Sequence, residues 1–524
     1  MTVLNMALTK PSPETLLTVL HHTHPETFDA DALRSLLPKP ETLGRLSAQG
    51  IGTAFRAEHA KDVVLRLAEM GNRIDGDAAT TLDDIHGQTE AVARLRRMAG
   101  DLDMWRAGKL AWSQVTASAL FYGPPGTGKT LAAAALAGTA GIPLITTSYA
   151  ECQRHGHQGD MLAALHNKVT EAIRLAPSVL FVDEIDSFSR RGGNDHNDRY
   201  LRGVVNGLLT ELTRLAETPG VIVLAATNHP DDVDPAVIRS GRLDAKIAMK
   251  LPDLRGISTQ LEDGLTKLQP PANISERERS MLSRRLLGSS GADIAALLRA
   301  AASAARETGG PVMIEQLHAA ADNLAPRLDP GLDHRMAVHE AGHVLAGYLL
   351  RRPMPISVRL TSQGGAVISP KRQFHTIDTA SAELTFLLSG RMAEILVFGD
   401  VSSGAGEGPQ SDLAQATRLA MQLERQWHLS DDGLTWFDID ASALLLADPR
   451  LQGRMESRLR AAETEAMQLL SQNFKYIHRL ARVLLREREL DANWIRRILA
   501  GIDHEERPEV GAEIIPFPLL PKED

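Results

Sequence analysis

Apolar residues in the first half of the chain occur in short unbroken runs, and this pattern predicts buried strands. The runs begin at Ala119, Ser178 and Val221, and each has the length of a single strand. The alanine-rich residues 131–140 follow the first run and have a high helix propensity. A buried strand followed directly by a helix is typical of an α/β domain.

Helical spacing predominates in the second half. Apolar residues in the segment 337–350 recur every three or four positions, as on one face of a helix. These positions are Val338, Ala341, Leu345 and Leu349. Residues 414–427 predict another amphipathic helix. The first 79 residues or so show short helical patterns broken by prolines and contain no recognisable chemical motif, so we expect a small helical N-terminal domain.

Composition narrows the class of protein. A chain of 524 residues is long enough for three or four domains of roughly 100–200 residues each. Its 57 basic and 66 acidic residues give a net charge of −9, without a long basic run, so nucleic acid is not expected as a partner. The single cysteine, Cys152, excludes an internal disulfide. No membrane span or signal peptide is recognised, and we expect a soluble cytoplasmic protein.

Residues 121–130 carry the first chemical motif, because F-Y-G-P-P-G-T-G-K-T fills the pattern G-x-x-x-x-G-K-[ST]. The glycines allow backbone N–H groups to surround phosphates, and the following helix directs its positive end at them. Lys129 adds a charge, and the Thr130 hydroxyl is placed to bind Mg²⁺. The predicted ATP-binding residues of this loop are Gly123, Pro124, Pro125, Gly126, Thr127, Gly128, Lys129 and Thr130.

Polar side chains end the next two apolar runs. The second run ends in D-E-I-D, in which Asp183 is expected to hold Mg²⁺ through water or through Thr130. Glu184 is expected to polarise the water that attacks the γ-phosphate. The third run ends at Asn228, whose amide is expected to contact the γ-phosphate or that water. These residues predict ATP hydrolysis.

Two arginines follow in the segment D-D-V-D-P-A-V-I-R-S-G-R-L-D. Arg239 and Arg242 are three positions apart and are interpreted as lying on one helical face. Their charges would suit a phosphate bound by a neighbouring subunit. Ion pairs with the nearby aspartates are the alternative interpretation.

The order of these motifs resembles the AAA+ ATPase family, and the resemblance covers about residues 82–305. It implies that Asn228 is the sensor-1 residue and that Arg239 and Arg242 are arginine fingers. It also implies a homo-oligomeric ring, expected to be a hexamer. Within the expected helical lid, the resemblance places Gly291 and Ala292 near the nucleotide.

A second chemical motif, H-E-x-x-H, lies on the predicted helix 337–350. His339 and His343 are one turn apart and therefore face one point, where they would bind Zn²⁺ with a position left open for water. Glu340 would take a proton from that water during attack on a peptide carbonyl. The motif predicts a zinc peptidase.

Residues 389–413 read S-G-R-M-A-E-I-L-V-F-G-D-V-S-S-G-A-G-E-G-P-Q-S-D-L. With an ATPase directly before H-E-x-x-H, this segment resembles the AAA+ zinc proteases of the FtsH type over about residues 82–499. The resemblance implies that Asp412 is the third zinc ligand, although about four extra residues precede it. Glu394 is the competing ligand, and its other expected role is to accept an N–H from one of the histidines. The resemblance also implies that residues 364–368 form an edge strand that receives the substrate backbone.

The chain departs from the FtsH type at two places. Relatives have transmembrane helices before the ATPase, whereas the first eighty residues here are polar and helical. Relatives also grip polypeptide with an aromatic-glycine pair in a pore loop. The corresponding residues here are Arg154, His155, Gly156 and His157. Imidazole gives less apolar contact than a phenyl ring, so we expect a weaker grip.

The resulting expectation is an α/β P-loop AAA+ module with a helical lid, followed by a mainly α-helical zinc peptidase domain. It would use ATP, Mg²⁺ and Zn²⁺ to deliver polypeptides to a zinc site. Two alternatives are a remodelling ATPase with a vestigial peptidase domain and a nucleotide-switched scaffold. The expected boundaries, from the N-terminal domain through the nucleotide-binding, lid and peptidase domains to an extended tail, are 1–80, 81–252, 253–327, 328–505 and 506–524.

Overall fold

The computed structural model divides the chain into two units. The first comprises Met1–Leu268 with Ser289–Arg299, and the second comprises Gln269–Gly288 with Ala300–Asp524. The division falls within the segment expected to form the lid. The structure describes residues 12–24, 29–38, 43, 48–76, 80–154, 158–188, 195–239, 241–272, 274–370, 376–406, 408–427 and 448–502. None of the helices within these ranges is long and apolar enough to cross a membrane.

Short helices form the N-terminal part of the first unit, as the proline-broken pattern predicts. Ser12 caps the first of them by accepting from Thr15 N, and Pro13 occupies its first turn. Leucines and valines from the first and last helices, including Leu20 and Val63, share a buried core. The helices are α1 (Pro13–Thr23), α2 (Ala30–Leu36), α3 (Ala48–Ala54) and α4 (Ala60–Gly76).

A parallel sheet forms the centre of the first unit. Its strand order is β2-β3-β4-β1-β5, and Leu120 of β1 pairs with Ala225 of β4. The strands are β1 (Ser118–Tyr122), β2 (Leu144–Ser148), β3 (Ser178–Asp183), β4 (Val221–Thr227) and β5 (Ala245–Ala248). The three apolar runs of the sequence are therefore three adjacent strands, and they confirm the predicted α/β class.

Alternate residues of the strands pack into two different cores. Phe121 and Phe181 belong to one hydrophobic cluster, whereas Leu120 and Leu180 belong to another. Each face of the sheet is thus covered by apolar side chains, which explains unbroken apolar runs instead of alternation with polar residues. The helices of this unit are α5 (Thr89–Arg106), α6 (Lys129–Ala140), α7 (Tyr149–Gln153), α8 (Gln158–Arg174), α9 (Asp195–Ala216) and α10 (Leu254–Thr266). A further helix, α12 (Gly291–Thr308), begins in this unit.

The second unit is mainly helical, as predicted. Its described strands form an antiparallel sheet in the order β7-β6-β8. The strands are β6 (Ser357–Thr361), β7 (Gly364–Ile368) and β8 (Glu489–Asp491). Its helices are α11 (Glu276–Arg285), α13 (Ile314–Leu324), α14 (Pro330–Leu349), α15 (Ile377–Phe398), α16 (Asp412–Arg425), α17 (Pro449–Gln472), α18 (Phe474–Glu487) and α19 (Ala492–Leu499).

Helix α14 begins earlier than its apolar spacing suggests. Asp329 caps it by accepting from the N–H groups of residues 331 and 332, and Pro330 occupies the first turn. The helix packs closely on α15, because a Cβ added to Gly342 would lie 2.6 Å from Ala393 Cβ and 2.7 Å from Ser389 O. Only glycine allows the two helices to approach this closely, and the approach positions the H-E-x-x-H residues against α15.

Candidate functional site

The loop between β1 and α6 has the geometry of a phosphate cradle. Gly123 has a φ of +146°, and a Cβ there would lie 2.0 Å from Met249 O, so the loop requires glycine at this position. Gly128 precedes α6 without a side-chain cap, which leaves the first N–H groups of the helix available to an anion. The loop therefore presents backbone N–H donors at the carboxyl end of β1.

Lys129 is held over this loop by neutral oxygens. Its Nζ donates to Gly123 O at 2.8 Å, to Pro124 O at 2.9 Å and to Asn228 Oδ1 at 2.7 Å. Burial lowers the pKa of Lys129, and the nearby carboxylates of Asp183 and Asp186 oppose this shift. The arrangement brings together the lysine of the loop and the amide that ends β4.

The acidic end of β3 lies beside the loop. Thr130 Oγ1 donates to Asp183 Oδ2 at 3.2 Å, so the two expected Mg²⁺-binding residues are in contact. Glu184 is exposed and has a φ of +50°, a left-handed conformation that is uncommon for a residue with a side chain. Its N–H donates to Asp183 Oδ1 at 2.9 Å. Strained backbone of this kind concentrates at functional sites, and the sequence motif does not reveal it.

A cavity of about 630 Å³ has the phosphate loop in its lining. Its lining contains both sequence-predicted residues of α12, Gly291 and Ala292. Ala292 N donates to Gly126 O at 3.1 Å, which brings the start of α12 to the loop. The lining also contains residues outside every motif, namely Ile85, His86, Gln88, Gln260, Asp263, Gly264, Ile294, Ala295 and Leu298.

The two candidate arginine fingers do not share a helical face. Residues 235–238 form a turn, and Asp234 Oδ1 accepts from Ala236 N at 2.8 Å in this segment. Arg242 Nη1 donates to Ala236 O at 2.6 Å, which ties its side chain to its own turn. Arg239 is exposed, and its guanidinium has no partner among the described residues. The helical interpretation was wrong because Pro235 and the aspartate before it favour a turn.

Three side chains of the second unit form a potential metal site. One ligand atom each of His339, His343 and Asp412 lies within 4.8 Å of the others. The two Nε2 atoms are 3.1 Å apart, and Asp412 Oδ2 lies 3.0 Å from His339 Nε2 and 3.2 Å from His343 Nε2. Zinc bonds of about 2.0 Å in a tetrahedron place ligand atoms roughly 3.3 Å apart, so this spacing fits zinc.

Hydrogen bonds fix the orientation of both imidazoles. His339 Nδ1 donates to Glu394 Oε1 at 2.8 Å, and His343 Nδ1 donates to Phe386 O at 2.9 Å. Because both acceptors lack protons, Nδ1 carries a hydrogen in each ring, and Nε2 is the atom left to face Asp412, where a metal would take the place of a proton. The two Nε2 atoms and the Asp412 carboxylate meet at one point, and together they form the donor set of a metal site.

The carboxylates around the two histidines stabilise positive charge at this point. Burial lowers the pKa of His339, but its hydrogen bonds to Asp412 and Glu394 outweigh burial and raise the pKa to about 10. Burial raises the pKa of both carboxyl groups, and their hydrogen bonds outweigh it. The histidines thereby hold the pKa of Asp412 far below its ordinary value, and His339 with Ser402 and Arg335 lowers that of Glu394 to about 2. Two negative charges therefore face the histidines at neutral pH.

The two candidate third ligands occupy different positions. Asp412 is the first residue of α16, which Ser411 caps by accepting from Ala414 N. Its carboxylate lies at Nε2 of both histidines, whereas Glu394 lies at Nδ1 of His339. Glu394 is 1% exposed and also accepts from Ser402 N at 2.8 Å. The geometry favours Asp412 as the ligand and Glu394 as the residue that orients the ligand His339.

Glu340 lies between the metal site and β7. It is buried, and burial raises its pKa above the ordinary value for a glutamate. A Cβ added to Gly365 would lie 2.5 Å from Glu340 Oε1, so the carboxylate rests on the backbone of β7. In the described sheet β7 is an edge strand. A peptide paired with β7 would therefore run beside Glu340.

Gly390 and Arg335 are site residues that motif reasoning missed. A Cβ on Gly390 would lie 2.5 Å from Nε2 of both His339 and His343, so a side chain there would enter the metal site. Arg335 Nη1 donates to Glu394 Oε2 at 3.1 Å, and its Nη2 donates to Asp400 at 2.7 Å. The only sequence signal for Gly390 is its place in the G-R-M-A-E segment.

Three residues of the expected pore loop, His155, Gly156 and His157, lie outside the described residues. Arg154 precedes them at the end of α7, where it is exposed. The expected tail 506–524 also lies outside the described residues.

Comparisons with known proteins identify the two halves separately. The family model of the "ATPase family associated with various cellular activities (AAA)" matches residues 119–251, and that of "Peptidase family M41" matches residues 331–498. ATP-dependent zinc metalloprotease FtsH 1 of Symbiobacterium thermophilum is 33% identical over 456 residues, which are 81% of this chain and 73% of the relative. FtsH of Nitrosococcus oceani is 32% identical, over 83% of this chain and 72% of the relative.

The chain belongs to the FtsH family. FtsH of Thermobaculum terrenum shows a similar likeness, 33% identity over 82% of this chain. The family resemblance found in the motifs is therefore confirmed. Both family models include the corresponding site, since the phosphate loop falls in the first match and His339 and Asp412 fall in the second.

Proposed function

We propose that the chain is an ATP-dependent zinc endopeptidase of the FtsH family. The observation that carries the proposal is the convergence of His339 Nε2, His343 Nε2 and Asp412 Oδ2 on one point, with both Nδ1 atoms already hydrogen-bonded. This complete donor set favours an active peptidase over a remodelling ATPase with a vestigial peptidase domain. The phosphate loop and its acidic partners favour hydrolysis over a nucleotide-switched scaffold.

In the nucleotide site, the roles follow from the contacts. The loop N–H groups and Lys129 would bind the β- and γ-phosphates, while Thr130 and Asp183 would hold Mg²⁺. Glu184 would accept a proton from the attacking water, and its left-handed backbone conformation, directly after β3, supports a functional role. Asn228, which accepts a hydrogen bond from Lys129, would contact the γ-phosphate and so distinguish ATP from ADP.

In the peptidase site, zinc would supply a Lewis acid and a water of lowered pKa. His339, His343 and Asp412 would hold the ion. Glu340 would take the proton of the attacking water, since it lies next to the ligands and rests on Gly365 of β7. The edge of β7 would align an extended peptide by backbone hydrogen bonds.

We propose that the family's ring is a hexamer here and that Arg239 acts on the nucleotide of a neighbouring subunit. The exposure of Arg239 supports this role, because a charge that acts on another subunit must extend from its own surface. We further propose a cytoplasmic location. The single cysteine, Cys152, supports it, because it is buried and suits a reducing compartment.

Degradation of casein tests the proposed function. The purified full-length protein should contain zinc and should degrade casein only when ATP and Mg²⁺ are present. Glu340→Gln should stop cleavage while zinc content and ATPase activity persist, because Glu340 is not a ligand. ATPase activity without zinc or cleavage would favour the remodelling machine, and nucleotide binding without hydrolysis would favour the scaffold.

A further inference from the structure

One buried oxygen in the nucleotide cavity has no hydrogen-bond donor. Gln260, on α10, has its Oε1 atom buried, and no donor among the described residues reaches it. A buried acceptor without a donor is costly, by about 1–3 kcal/mol. Such an atom in the wall of a cavity indicates that a ligand supplies the missing donor.

The orientation of this amide is fixed by its other atom. Gln260 Nε2 donates to His86 O at 2.9 Å. The amide is not reversed, because a carbonyl oxygen accepts only from the NH₂ group. Gln260 therefore presents an acceptor and is held in that orientation. By contrast, Gln88 uses both amide atoms on the backbone: it donates to Lys250 O at 2.5 Å and to Thr127 O at 3.4 Å, and it accepts from Lys250 N at 3.2 Å.

Gln260 shares its cavity with the phosphate loop and with apolar side chains. The cavity, about 630 Å³ in volume, is lined by the phosphate loop with Asp183 and Asn228. Besides the loop, the lining includes the apolar side chains of Ile294 and Leu298 as well as Gln260. An apolar wall suits a planar base, and the charged end suits phosphates.

The packing of Leu298 supports this division of the cavity. A Cβ on Gly264 would lie 2.3 Å from Leu298 Cδ1, so glycine at this position allows the leucine to form the wall. Gln260 Oε1 lies near the start of α12, 3.5 Å from the position of a Cβ on Gly291. Gln260 Oε1 thus lies between the apolar side chains of the cavity and the phosphate loop.

We propose that Gln260 determines base specificity by accepting a hydrogen bond from the 6-amino group of adenine. This inference rests on the proposed nucleotide site and adds a specificity-determining residue to it. The 6-oxygen of a 6-oxo purine is itself an acceptor, so it would face Oε1 without forming a hydrogen bond. A purine without a 6-substituent would leave Oε1 unpaired. Both should bind more weakly than the adenine nucleotide.

Binding of diphosphates to the full-length protein with Mg²⁺ tests this, because diphosphates are not hydrolysed. The ligands are ADP and purine riboside 5′-diphosphate, which lacks only the 6-amino group. The wild-type protein should prefer ADP by about 5- to 10-fold, the effect of one hydrogen bond. In Gln260→Leu this preference should disappear, although loss of the His86 contact should weaken both ligands alike.

Gln88→Leu is the matched control, because both ends of its amide are engaged by backbone atoms of Lys250 and Thr127. It should retain the preference for ADP whatever its affinity. Binding of 2′-deoxy-ADP and 3′-deoxy-ADP distinguishes the base from the ribose, which also carries donors. If Gln260→Leu abolishes discrimination against a deoxy ligand but not against purine riboside, the base assignment is overturned.

An equal affinity of the wild-type protein for ADP and purine riboside diphosphate would also overturn the inference, while leaving the nucleotide site intact. Failure of ADP to bind at all would instead overturn the proposed nucleotide function, and the specificity of Gln260 with it. The two failures are therefore distinguishable in the same titration.

Discussion

Oε1 of Glu394 lies 2.8 Å from Nδ1 of His339, whose other ring nitrogen faces Asp412. The carboxylate is held in turn by Arg335 and by the backbone N–H and hydroxyl of Ser402. Glu394 therefore fixes both the tautomer and the direction of His339. A residue in this position tunes a metal site without binding the metal.

Replacing each carboxylate by its amide should separate these two roles. Asp412→Asn should leave a protein with little bound zinc and normal ATPase activity, because it loses the charged ligand. Glu394→Gln should keep zinc at saturating concentration but bind it about 10- to 100-fold more weakly. Metal analysis and chelator competition measure both variants. Zinc-free Glu394→Gln beside zinc-loaded Asp412→Asn would reverse the assignment.

The close packing of α14 and α15 leads to a second prediction, which concerns zinc binding in a Gly390 variant. Gly390→Ala should strip or strongly weaken zinc binding, because the new methyl group would lie 2.5 Å from Nε2 of both histidines. Zinc content and the melting temperature report the effect.

Gly453, on α17, is the control, since a Cβ there would meet nothing within 4 Å. Gly453→Ala should keep its zinc and gain about 0.5–1 kcal/mol of stability from helix propensity. Normal zinc affinity in Gly390→Ala would mean that the helices separate without cost, which would contradict the packing argument.

In the nucleotide site, Glu184→Gln should bind ATP but not hydrolyse it, because the cradle and the Thr130–Asp183 contact remain. Lys129→Ala should lose binding instead, since its ammonium is the charge held over the loop. Nucleotide affinity and phosphate release distinguish the two variants. Undiminished turnover in Glu184→Gln would remove this residue from its proposed role.

The sequence predicted those parts of the fold and sites that depend on local spacing. The run beginning at Ala119 became a strand that starts one residue earlier, at Ser118, and the histidines of H-E-x-x-H face one point because they are one turn apart. Local chemistry also explains the earlier start of α14, through the Asp329–Pro330 signal.

Other features depend on contacts between distant residues and have no local signature. Gln260 stands out as a candidate ligand-binding residue only because His86 in the folded chain engages one end of its amide. Gly390 stands out as a site residue only because α14 packs against it. The shared helical face of Arg239 and Arg242 failed for a related reason, since spacing alone does not reveal that the intervening backbone turns.

The different contacts of these two arginines lead to a prediction about the ring. Arg242 is tied to Ala236 O, whereas Arg239 is exposed and has no partner among the described residues. If Arg239 serves a neighbouring subunit, Arg239→Ala should reduce ATPase activity by roughly 10³-fold or more, as for other arginine fingers, while nucleotide binding persists. Arg479→Ala, at an exposed position on α18, should leave ATPase activity unchanged.

Mixed rings decide whether Arg239 acts between subunits. A Lys129→Ala subunit has no working nucleotide site but retains Arg239, and an Arg239→Ala subunit has the opposite defect. A Lys129→Ala subunit next to an Arg239→Ala subunit would supply its Arg239 to the intact nucleotide site of that neighbour, and this interface should be active. Mixtures should therefore regain ATPase activity that neither variant shows alone. Activity should peak at an intermediate mixing ratio. If both variants assemble into rings and no ratio restores activity, Arg239 does not act in trans, and its exposed guanidinium serves another purpose.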